Sequence, residues 1–232
     1  MASGLPRSIP RLRVILLESG VETVPRELWD HPQVRKTSER YGVEPGMLLL
    51  DKSLHYNAMA SLPRKWKRGR PDIVHLTLLV LLESRAGRRG LVEVYMHTVN
   101  GEVYAFSPWE RIPKNYERFK GLMAHLLRDG RVPPEGEALI YKVADRLSDF
   151  VKEEGPLILL WERGVRSSEE EVVARALAVN GLLGIGAFPR GDFERSTLRK
   201  AREYYSIAGG EPLPAWSVAC RLVRAYEEMV NL

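Results

Sequence analysis

The chain has 232 residues, of which 44% are hydrophobic and 28% charged, a composition typical of a globular protein with one large domain or two small ones. Its net charge of +5 favours an anionic partner, and its single cysteine, Cys220, excludes an intrachain disulfide and a multi-cysteine metal site. No apolar run approaches the roughly 18 residues that span a bilayer, and residues 1–13 lack the apolar core of a signal peptide, so we expect a cytoplasmic protein without a membrane segment.

The N-terminal quarter of the sequence predicts a loose arm followed by two apolar segments. Residues 1–11 are rich in Pro, Ser and Gly, which is typical of a flexible arm. Residues 12–18 are mostly apolar, with Arg13 and Glu18 as the exceptions, and predict a buried strand. Residues 47–51 form a shorter run that ends on an acid, Asp51.

A dense basic segment comes next, with its cations crowded around Trp66: Arg64, Lys65, Lys67, Arg68 and Arg70. Because like charges repel one another, we expect this segment to face solvent or a polyanion such as a phosphate backbone. Asp72 follows a rigid proline at the start of a helix predicted over residues 73–83. Two roles stay open for Asp72, either as the N-cap of that helix or as the carboxylate that holds Arg70 in place.

The middle of the chain predicts a β-hairpin and a second helix. Residues 91–98 and 102–107 flank Asn100-Gly101, the strongest short-range signal for a hairpin turn. A helix is predicted from about Asn115, because apolar side chains recur there at helical intervals, at Tyr116, Phe119, Met123 and Leu126. Residues 128–155 are interpreted as a connector plus one helix.

Three cations surround the start of that second helix, namely Arg111, Lys114 and Arg118. We expect Lys114 and Arg118, four residues apart, to lie on one helical face, where their charges repel mildly. The two cations could lie on a helix face that contacts only solvent. Alternatively, phosphate groups bound along this face would relieve the repulsion between the two cations. Since guanidinium groups also bind phosphate through two parallel hydrogen bonds, we favour a phosphate-contacting role.

The last third of the chain alternates between strand and helix patterns. We predict strands over residues 157–161 and 182–188 and helices over residues 169–179 and 214–229. Ser168 and Glu171 form a capping box that opens the first of these helices. The alternation predicts an α/β fold with a mostly parallel sheet flanked by helices.

Two loops rich in Gly and Pro each follow a strand-like segment of this region, at residues 184–192 and 205–213. The first has the spacing G-x-G-x-x-x-x-G, and Pro189 interrupts the expected helix start, so a Rossmann dinucleotide site is a poor fit. In an open α/β sheet the two loops would converge at the carboxyl edge, where such sheets bind ligands. Plain tight turns are the alternative interpretation of both loops.

Neither a metal site nor a protein nucleophile is predicted. The five histidines are scattered without ligand spacing: His31, His55, His75, His97 and His125. No sequence resembles the nucleophile elbow G-x-S-x-G. We therefore expect the histidines to serve packing or local hydrogen bonding.

Several motifs, in their order along the chain, resemble the ribosomal small-subunit pseudouridine N(1)-specific methyltransferases, the nucleolar essential protein family of the SPOUT class. The motifs are LDKSLH (50–55), RGRPDIVH (68–75), TLL (77–79), LES (82–84), VYMHT (94–98), RIPKNYERFKGLM (111–123), GAFPRGDF (186–193) and PLPAW (212–216). The resemblance extends over nearly the whole chain from Leu12 and is thinnest over residues 128–155. Long motifs in one order are far more specific than either glycine loop alone.

The resemblance implies a SPOUT-type fold, a single domain over residues 12–232 with a β-hairpin-containing extension and a C-terminal trefoil knot at about residues 156–232. It also implies a homodimer that binds S-adenosylmethionine in the knot loops and contacts a hairpin loop of small-subunit rRNA. The family's cofactor positions fall on Gly186, Gly191, Ile207, Ala208, Gly209, Gly210, Glu211, Pro212 and Leu213. Its RNA-contacting positions fall on Arg70, Arg111, Lys114 and Arg118, with Asp72 orienting Arg70.

The implied reaction is methyl transfer from a sulfonium to the N1 ring nitrogen of a pseudouridine, with a role in small-subunit biogenesis. Because the substrate nitrogen is the nucleophile, no catalytic residue is assigned. The chain departs from the family pattern at Lys114, where an arginine is common, and at Gly209-Gly210, which adds a residue to the second loop. Two other functions stay open: a non-catalytic ribosome assembly factor with a vestigial cofactor pocket, and an RNA-binding module without a cofactor.

Overall fold

The computed structural model describes residues 9–109 and 111–232, and these contain one eight-stranded sheet and nine α-helices. The strands are β1 Leu12–Ser19, β2 Val92–Thr98, β3 Val103–Phe106, β4 Arg131–Val132, β5 Ile140–Ala144, β6 Leu157–Arg166, β7 Leu182–Gly186 and β8 Ala201–Ser206. The helices are α1 Pro32–Tyr41, α2 Lys52–His55, α3 Pro71–Glu83, α4 Arg85–Arg88, α5 Tyr116–Asp129, α6 Leu147–Glu154, α7 Glu169–Ala178, α8 Arg195–Leu198 and α9 Ala215–Met229.

The sheet has the strand order β4-β5-β3-β2-β1-β7-β6-β8, and four of its seven pairings are parallel. β1 pairs in parallel with β2 on one side and with β7 on the other, so that Ile15 lies between Tyr95 and Gly184. β2 and β3 pair antiparallel, with Asn100 and Gly101 in their connection. An eight-stranded sheet flanked by helices confirms the predicted α/β architecture.

Alternation along β1 divides its apolar side chains between two cores on opposite faces of the sheet. Val14 and Leu16 belong to a core that includes residues of α3, α5, α7 and α9. Ile15 and Leu17 belong to a smaller core that includes residues of α6 and Phe193 of the first glycine loop. Because both faces of the sheet are covered, every residue of β1 is buried, which agrees with the buried strand predicted from the sequence.

The sequence patterns do not predict β4, β5 or the helices α1, α2, α4 and α8, and they indicate β8 only as the strand-like segment before the second loop. Residues 128–155 contain the expected helix, α6, but also the short strands β4 and β5. Three of the five residues of β5 are exposed, and β8 at the other edge of the sheet has no fully apolar run. β4 and β8 are the two edge strands and β5 lies next to β4, and none of the three has the continuous apolar pattern that identifies a buried strand.

The start of the described chain is fixed to the domain. Residues 1–8 of the predicted flexible arm lie outside the described residues. The carbonyl of Pro10 accepts a hydrogen bond of 2.8 Å from the Tyr226 hydroxyl, and the Arg11 guanidinium pairs with Glu93 at 2.9 Å. Among the described residues, no helix is long and apolar enough to cross a membrane, and no group of three or more His, Cys, Asp and Glu side chains is placed to hold a metal ion.

Two buried histidines should make the stability of this fold depend on pH. Burial lowers the pKa of His97 and of His55 from 6.5 to about 4. Since the unfolded chain then binds protons that the native chain does not, the free energy of unfolding falls as the pH falls from 6.5 toward 4. We expect a loss of about 2 kcal/mol for each histidine by about pH 5, measured by urea unfolding. His97→Gln should remove about half of this dependence; the same pH profile in that variant would contradict the assignment.

Candidate active site

A cleft of about 730 Å³ opens at the carboxyl ends of β7 and β8, beside the middle of β6. Both Gly/Pro loops line it, the first through residues 186–193 and the second through residues 205–208 and 211–214. Seven of the predicted cofactor residues are among the lining residues, namely Gly186, Gly191, Ile207, Ala208, Glu211, Pro212 and Leu213. The two loops therefore meet at the edge of the sheet where open α/β sheets bind ligands.

The glycines of the first loop are required by close packing and by backbone conformation. A Cβ atom on Gly186 would lie 3.0 Å from ring atoms of both Phe188 and Phe193. Gly191 has a φ angle of +91°, and a Cβ atom there would lie 3.2 Å from Cδ1 and Nε1 of Trp66. A side chain at either position would thus push against an aromatic ring, and at Gly191 it would also force an unfavourable backbone conformation.

Gly209 and Gly210 shape the second loop without lining the cleft. Their φ angles are +64° and +98°, so both occupy the left-handed region that favours glycine. The N–H of Gly210 donates a hydrogen bond of 3.0 Å to Ser206 Oγ, at the end of β8. The Gly209 carbonyl accepts a hydrogen bond of 3.5 Å from the Arg166 guanidinium. The extra glycine of this chain therefore lies in the turn behind the cleft.

β6 contacts the first loop at the point where its pairing with β8 is irregular. The register between β6 and β8 shifts between Leu160 and Val165, and Trp161 and Glu162 within this interval line the cleft. Trp161 Nε1 donates a hydrogen bond of 2.8 Å to Asp192 Oδ1, which also accepts the N–H of Phe193 at 2.7 Å. Asp192 thereby fixes the wall of the cleft, and sequence reasoning missed this role because the two side chains are 31 residues apart.

Arg70 is the cationic side chain that joins the basic segment to the cleft. Its guanidinium lines the cleft and donates hydrogen bonds of 2.8 and 2.7 Å to the two carboxylate oxygens of Asp72. This pairing raises the pKa of Arg70. Arg70 itself occupies the N-cap position of α3, with Pro71 as the first helical residue, so the interpretation of Asp72 as the N-cap is wrong. Asp72 lies in the first helical turn and holds Arg70.

The expectation that the whole basic segment faces solvent is also wrong, because two of its cations are paired inside the protein. Lys67 is buried in an ion pair with Glu18, and its ammonium lies 4.4 Å from the ring centre of Phe188. Arg68 donates hydrogen bonds of 2.7 and 2.5 Å to the two carboxylate oxygens of the buried Glu22. These two carboxylates neutralise the positive charges of Lys67 and Arg68. The two side chains can therefore lie inside the protein despite the repulsion between like charges.

The second cationic group precedes and opens α5. Asn115 is the N-cap, and its Oδ1 accepts the N–H of Arg118 at 3.0 Å. Lys114 lies before the helix and approaches Glu83 at 3.6 Å, so the prediction that Lys114 and Arg118 share a helical face is wrong. Arg111, Lys114 and Arg118 do not line the cleft.

A buried hydrogen-bond network positions this second group against α3. Asp51 accepts hydrogen bonds from the Tyr116 hydroxyl at 3.0 Å and from Lys120 Nζ at 3.4 Å. Burial, together with Asp51, raises the pKa of Tyr116. His75 of α3 bonds through Nε2 with the Pro113 carbonyl at 2.7 Å and stacks on Phe119, and this places residues 111–115 beside α3. The acid that ends the apolar run at residues 47–51 was the only sequence signal for this network.

The chain is similar to known proteins over nearly its whole length. Residues 14–227 match the family model described as EMG1/NEP1 methyltransferase. The ribosomal RNA small subunit methyltransferase Nep1 of Aeropyrum pernix is 54% identical over 219 residues, which cover 94% of this chain and 98% of that protein. The protein of the same name from Staphylothermus marinus is 42% identical over 224 residues, which cover 95% of this chain and 97% of that protein.

A solved structure has the same fold over almost its full length. The crystal structure of Archaeoglobus fulgidus Nep1 bound to S-adenosylhomocysteine is similar with a TM-score of 0.85 and 36% sequence identity. The similarity covers 96% of this chain and 100% of that chain. These matches confirm the resemblance found in the sequence, and the chain belongs to the EMG1/NEP1 methyltransferase family.

Proposed function

We propose that this chain uses S-adenosylmethionine to methylate the N1 nitrogen of a pseudouridine in small-subunit rRNA. The observation that carries the proposal is the cleft into which both glycine loops and Arg70 project. A cavity for a methyl donor beside a phosphate-binding side chain is what transfer to an RNA base requires. The bound S-adenosylhomocysteine of the A. fulgidus protein supports the cofactor, and the names of the two archaeal relatives support the rRNA substrate.

The residues of the cleft fit S-adenosylmethionine. Apolar side chains suited to a purine line it, among them Leu160, Ile185 and Leu213, and its volume lies in the range of small-molecule sites. Glu162 and Glu211 are also among the residues that line the cleft, and their negative charges favour a positively charged ligand such as a sulfonium. Gly186 and Gly191 would admit the ligand where a Cβ atom would disturb the packed rings around the loop.

When bound, S-adenosylmethionine supplies an electrophilic methyl group. The chain's own part is to place the substrate nitrogen in line with that methyl group and to exclude water. Arg70, held by Asp72 at the edge of the cleft, binds a phosphate next to the target nucleotide. Arg111, Lys114 and Arg118, outside the cleft, bind the flanking backbone. Recognition of a hairpin loop fits this arrangement, because an unpaired base leaves its stack at a lower cost than a base in a duplex.

The proposal includes a SPOUT-type domain over residues 12–232 with a C-terminal knot, acting as a homodimer in the cytoplasm. The second cofactor loop leads directly into α9, whose Ala215 and Val218 share the core with Ile185 of β7, so the segment proposed to form the knot packs against the sheet. Leu76 of α3 and Met229 of α9, two helices that pack together, leave large apolar side chains exposed, and this supports a dimer surface there.

Isothermal titration with S-adenosylmethionine and with its demethylated product tests the cofactor part of this proposal. We expect each compound to bind at one site per chain. Lack of binding by either compound would support the alternative of a non-catalytic assembly factor or of an RNA-binding module without a cofactor.

Asp72→Ala should weaken hairpin RNA binding with little loss of stability. Asp72 is not the N-cap, so its removal costs the favourable interaction of a carboxylate with the helix N-terminus and a partly exposed ion pair with Arg70, together about 1 kcal/mol. RNA affinity should fall because Arg70 loses its two hydrogen bonds. The double variant with Arg70→Ala should bind RNA no more weakly than Arg70→Ala alone. Additive losses in this cycle, measured by fluorescence anisotropy, would rule out the orienting role.

Arg118→Ala should weaken RNA binding in a salt-dependent manner while cofactor affinity stays unchanged. Loss of one phosphate contact should reduce the slope of log K against log salt by about one unit. Arg128→Ala is the matched control, because Arg128 lies near the opposite end of α5 and pairs with Asp129. Equal salt slopes in the two variants would contradict the placement of RNA at the start of α5.

A further inference from the structure

Trp66 stands beside the cleft on a firmly held turn. It lies in a 3-10 turn over residues 65–67. The residues on its C-terminal side fix this turn, because Lys67 is buried and Arg68 pairs with Glu22 through two hydrogen bonds. The Trp66 side chain nevertheless remains 51% exposed. The ring is thus presented to solvent by a backbone that has little freedom to move.

The indole of Trp66 also rests on the first cofactor loop. Its Cδ1 and Nε1 atoms lie 3.2 Å from the position of a Cβ atom on Gly191. The five-membered edge of the ring therefore packs against the loop that lines the cleft. Because one edge of the Trp66 ring contacts the loop and the rest is exposed, the ring presents an aromatic surface next to the entrance of the cleft.

The charges around Trp66 favour a nucleic acid over a protein partner. Arg64 and Lys65, on the N-terminal side of the ring, are exposed cations, and Arg70 lies in the cleft itself. An aromatic ring flanked by cations is the arrangement with which proteins hold single-stranded RNA, with bases stacked on the ring and phosphates bound by the cations. An isolated exposed tryptophan would need no explanation, but this one combines cations, rigidity and proximity to the cleft.

We propose that Trp66 stacks on the unpaired base next to the nucleotide that is methylated. The inference rests on the proposed function, because it concerns the same RNA at the same site. When the target base enters the cleft, its neighbour loses a stacking partner. The exposed indole face replaces that partner, and Arg64 and Lys65 bind the adjoining phosphates.

Two substitutions of Trp66 separate stacking from packing. Trp66→Phe keeps an aromatic face, whereas Trp66→Leu keeps an apolar side chain against Gly191 but removes that face. We expect Trp66→Leu to weaken binding of a pseudouridine-containing hairpin by about 5- to 100-fold, and Trp66→Phe to retain most of the affinity. Calorimetry with S-adenosylmethionine should give wild-type affinity for both variants, which verifies that the site is folded.

A set of hairpins, each with one abasic loop nucleotide, identifies the stacked base. For one of these hairpins, wild type and Trp66→Leu should bind equally, because the base that stacks on Trp66 is missing. Equal binding of the intact hairpin by both proteins, or the same loss with every abasic hairpin, would overturn the stacking role and leave the proposed function intact. A wild-type protein that neither binds nor methylates the hairpin would overturn both.

Discussion

Gly191→Val is expected to abolish S-adenosylmethionine binding and methyl transfer while the protein stays folded. Gly191 has a φ angle of +91°, which a β-branched residue rarely adopts, and its Cβ position lies 3.2 Å from the Trp66 ring. Valine would therefore displace the loop that lines the cleft. Calorimetric titration with S-adenosylmethionine and a methyl-transfer assay measure the effect directly.

The matched control for this variant is Gly121→Val. Gly121 lies within α5, and a Cβ atom there would meet nothing within 4 Å, so the same change should leave cofactor affinity unaltered. Circular dichroism and size-exclusion chromatography should show the same fold and assembly for both variants. Wild-type cofactor affinity in Gly191→Val would assign the first loop to a structural turn.

Lys67→Met is expected to lower the free energy of unfolding by about 3–5 kcal/mol. The Lys67 and Glu18 side chains are each only 5% exposed, so removing the ammonium leaves a buried carboxylate without its counter-ion. Glu18 Oε1 also accepts the N–H of Glu194 at 2.9 Å, which ties the same pair to the end of the first cofactor loop. Urea unfolding at neutral pH measures the loss.

Two further variants separate the ion pair from simple side-chain removal. Lys65→Met, at the exposed neighbouring cation, should change the free energy of unfolding by less than about 0.5 kcal/mol. The double variant Glu18→Gln with Lys67→Met should recover a large part of the stability, because no charge remains buried. Equal stabilities of Lys67→Met and Lys65→Met would show that the buried pair contributes nothing.

The sequence predicts the elements in which buried residues follow a regular pattern along the chain. β6 and β7 begin with continuous apolar runs, β1 is mostly apolar, and α5 and α9 have clear helical periodicity, so the start of each was placed to within one residue, although β6 continues to Arg166, five residues beyond its predicted end. β8 was indicated only as a strand-like segment, and β4 and β5 were missed, because β4 and β8 are edge strands and β5, next to β4, exposes three of its five residues. α1 was missed because its ten residues bury only Val34 and Thr37.

The candidate site was predictable only in part. Glycine spacing indicates where backbone conformations are special, and the resemblance supplied the positions that now line one cleft. Side-chain pairs across the chain were not predictable, because Lys67 and Glu18 are 49 residues apart and Trp161 and Asp192 are 31 apart. Pairs between residues close in sequence were easier to predict. Arg70 and Asp72 are two residues apart, and the role of Asp72 as the carboxylate that holds Arg70 agrees with the structure.

Methylation of pseudouridine at N1 can be tested by mass spectrometry of a small-subunit rRNA hairpin treated with the purified protein and S-adenosylmethionine. Two hairpins that differ only in carrying pseudouridine or uridine at one loop position should be compared, because uridine offers no free N1 nitrogen. We expect one added methyl group on the pseudouridine hairpin and none on the uridine hairpin. Gly191→Val should give a greatly reduced yield of the methylated hairpin. Equal methylation of both hairpins, or methylation of neither, would contradict methylation of pseudouridine at N1.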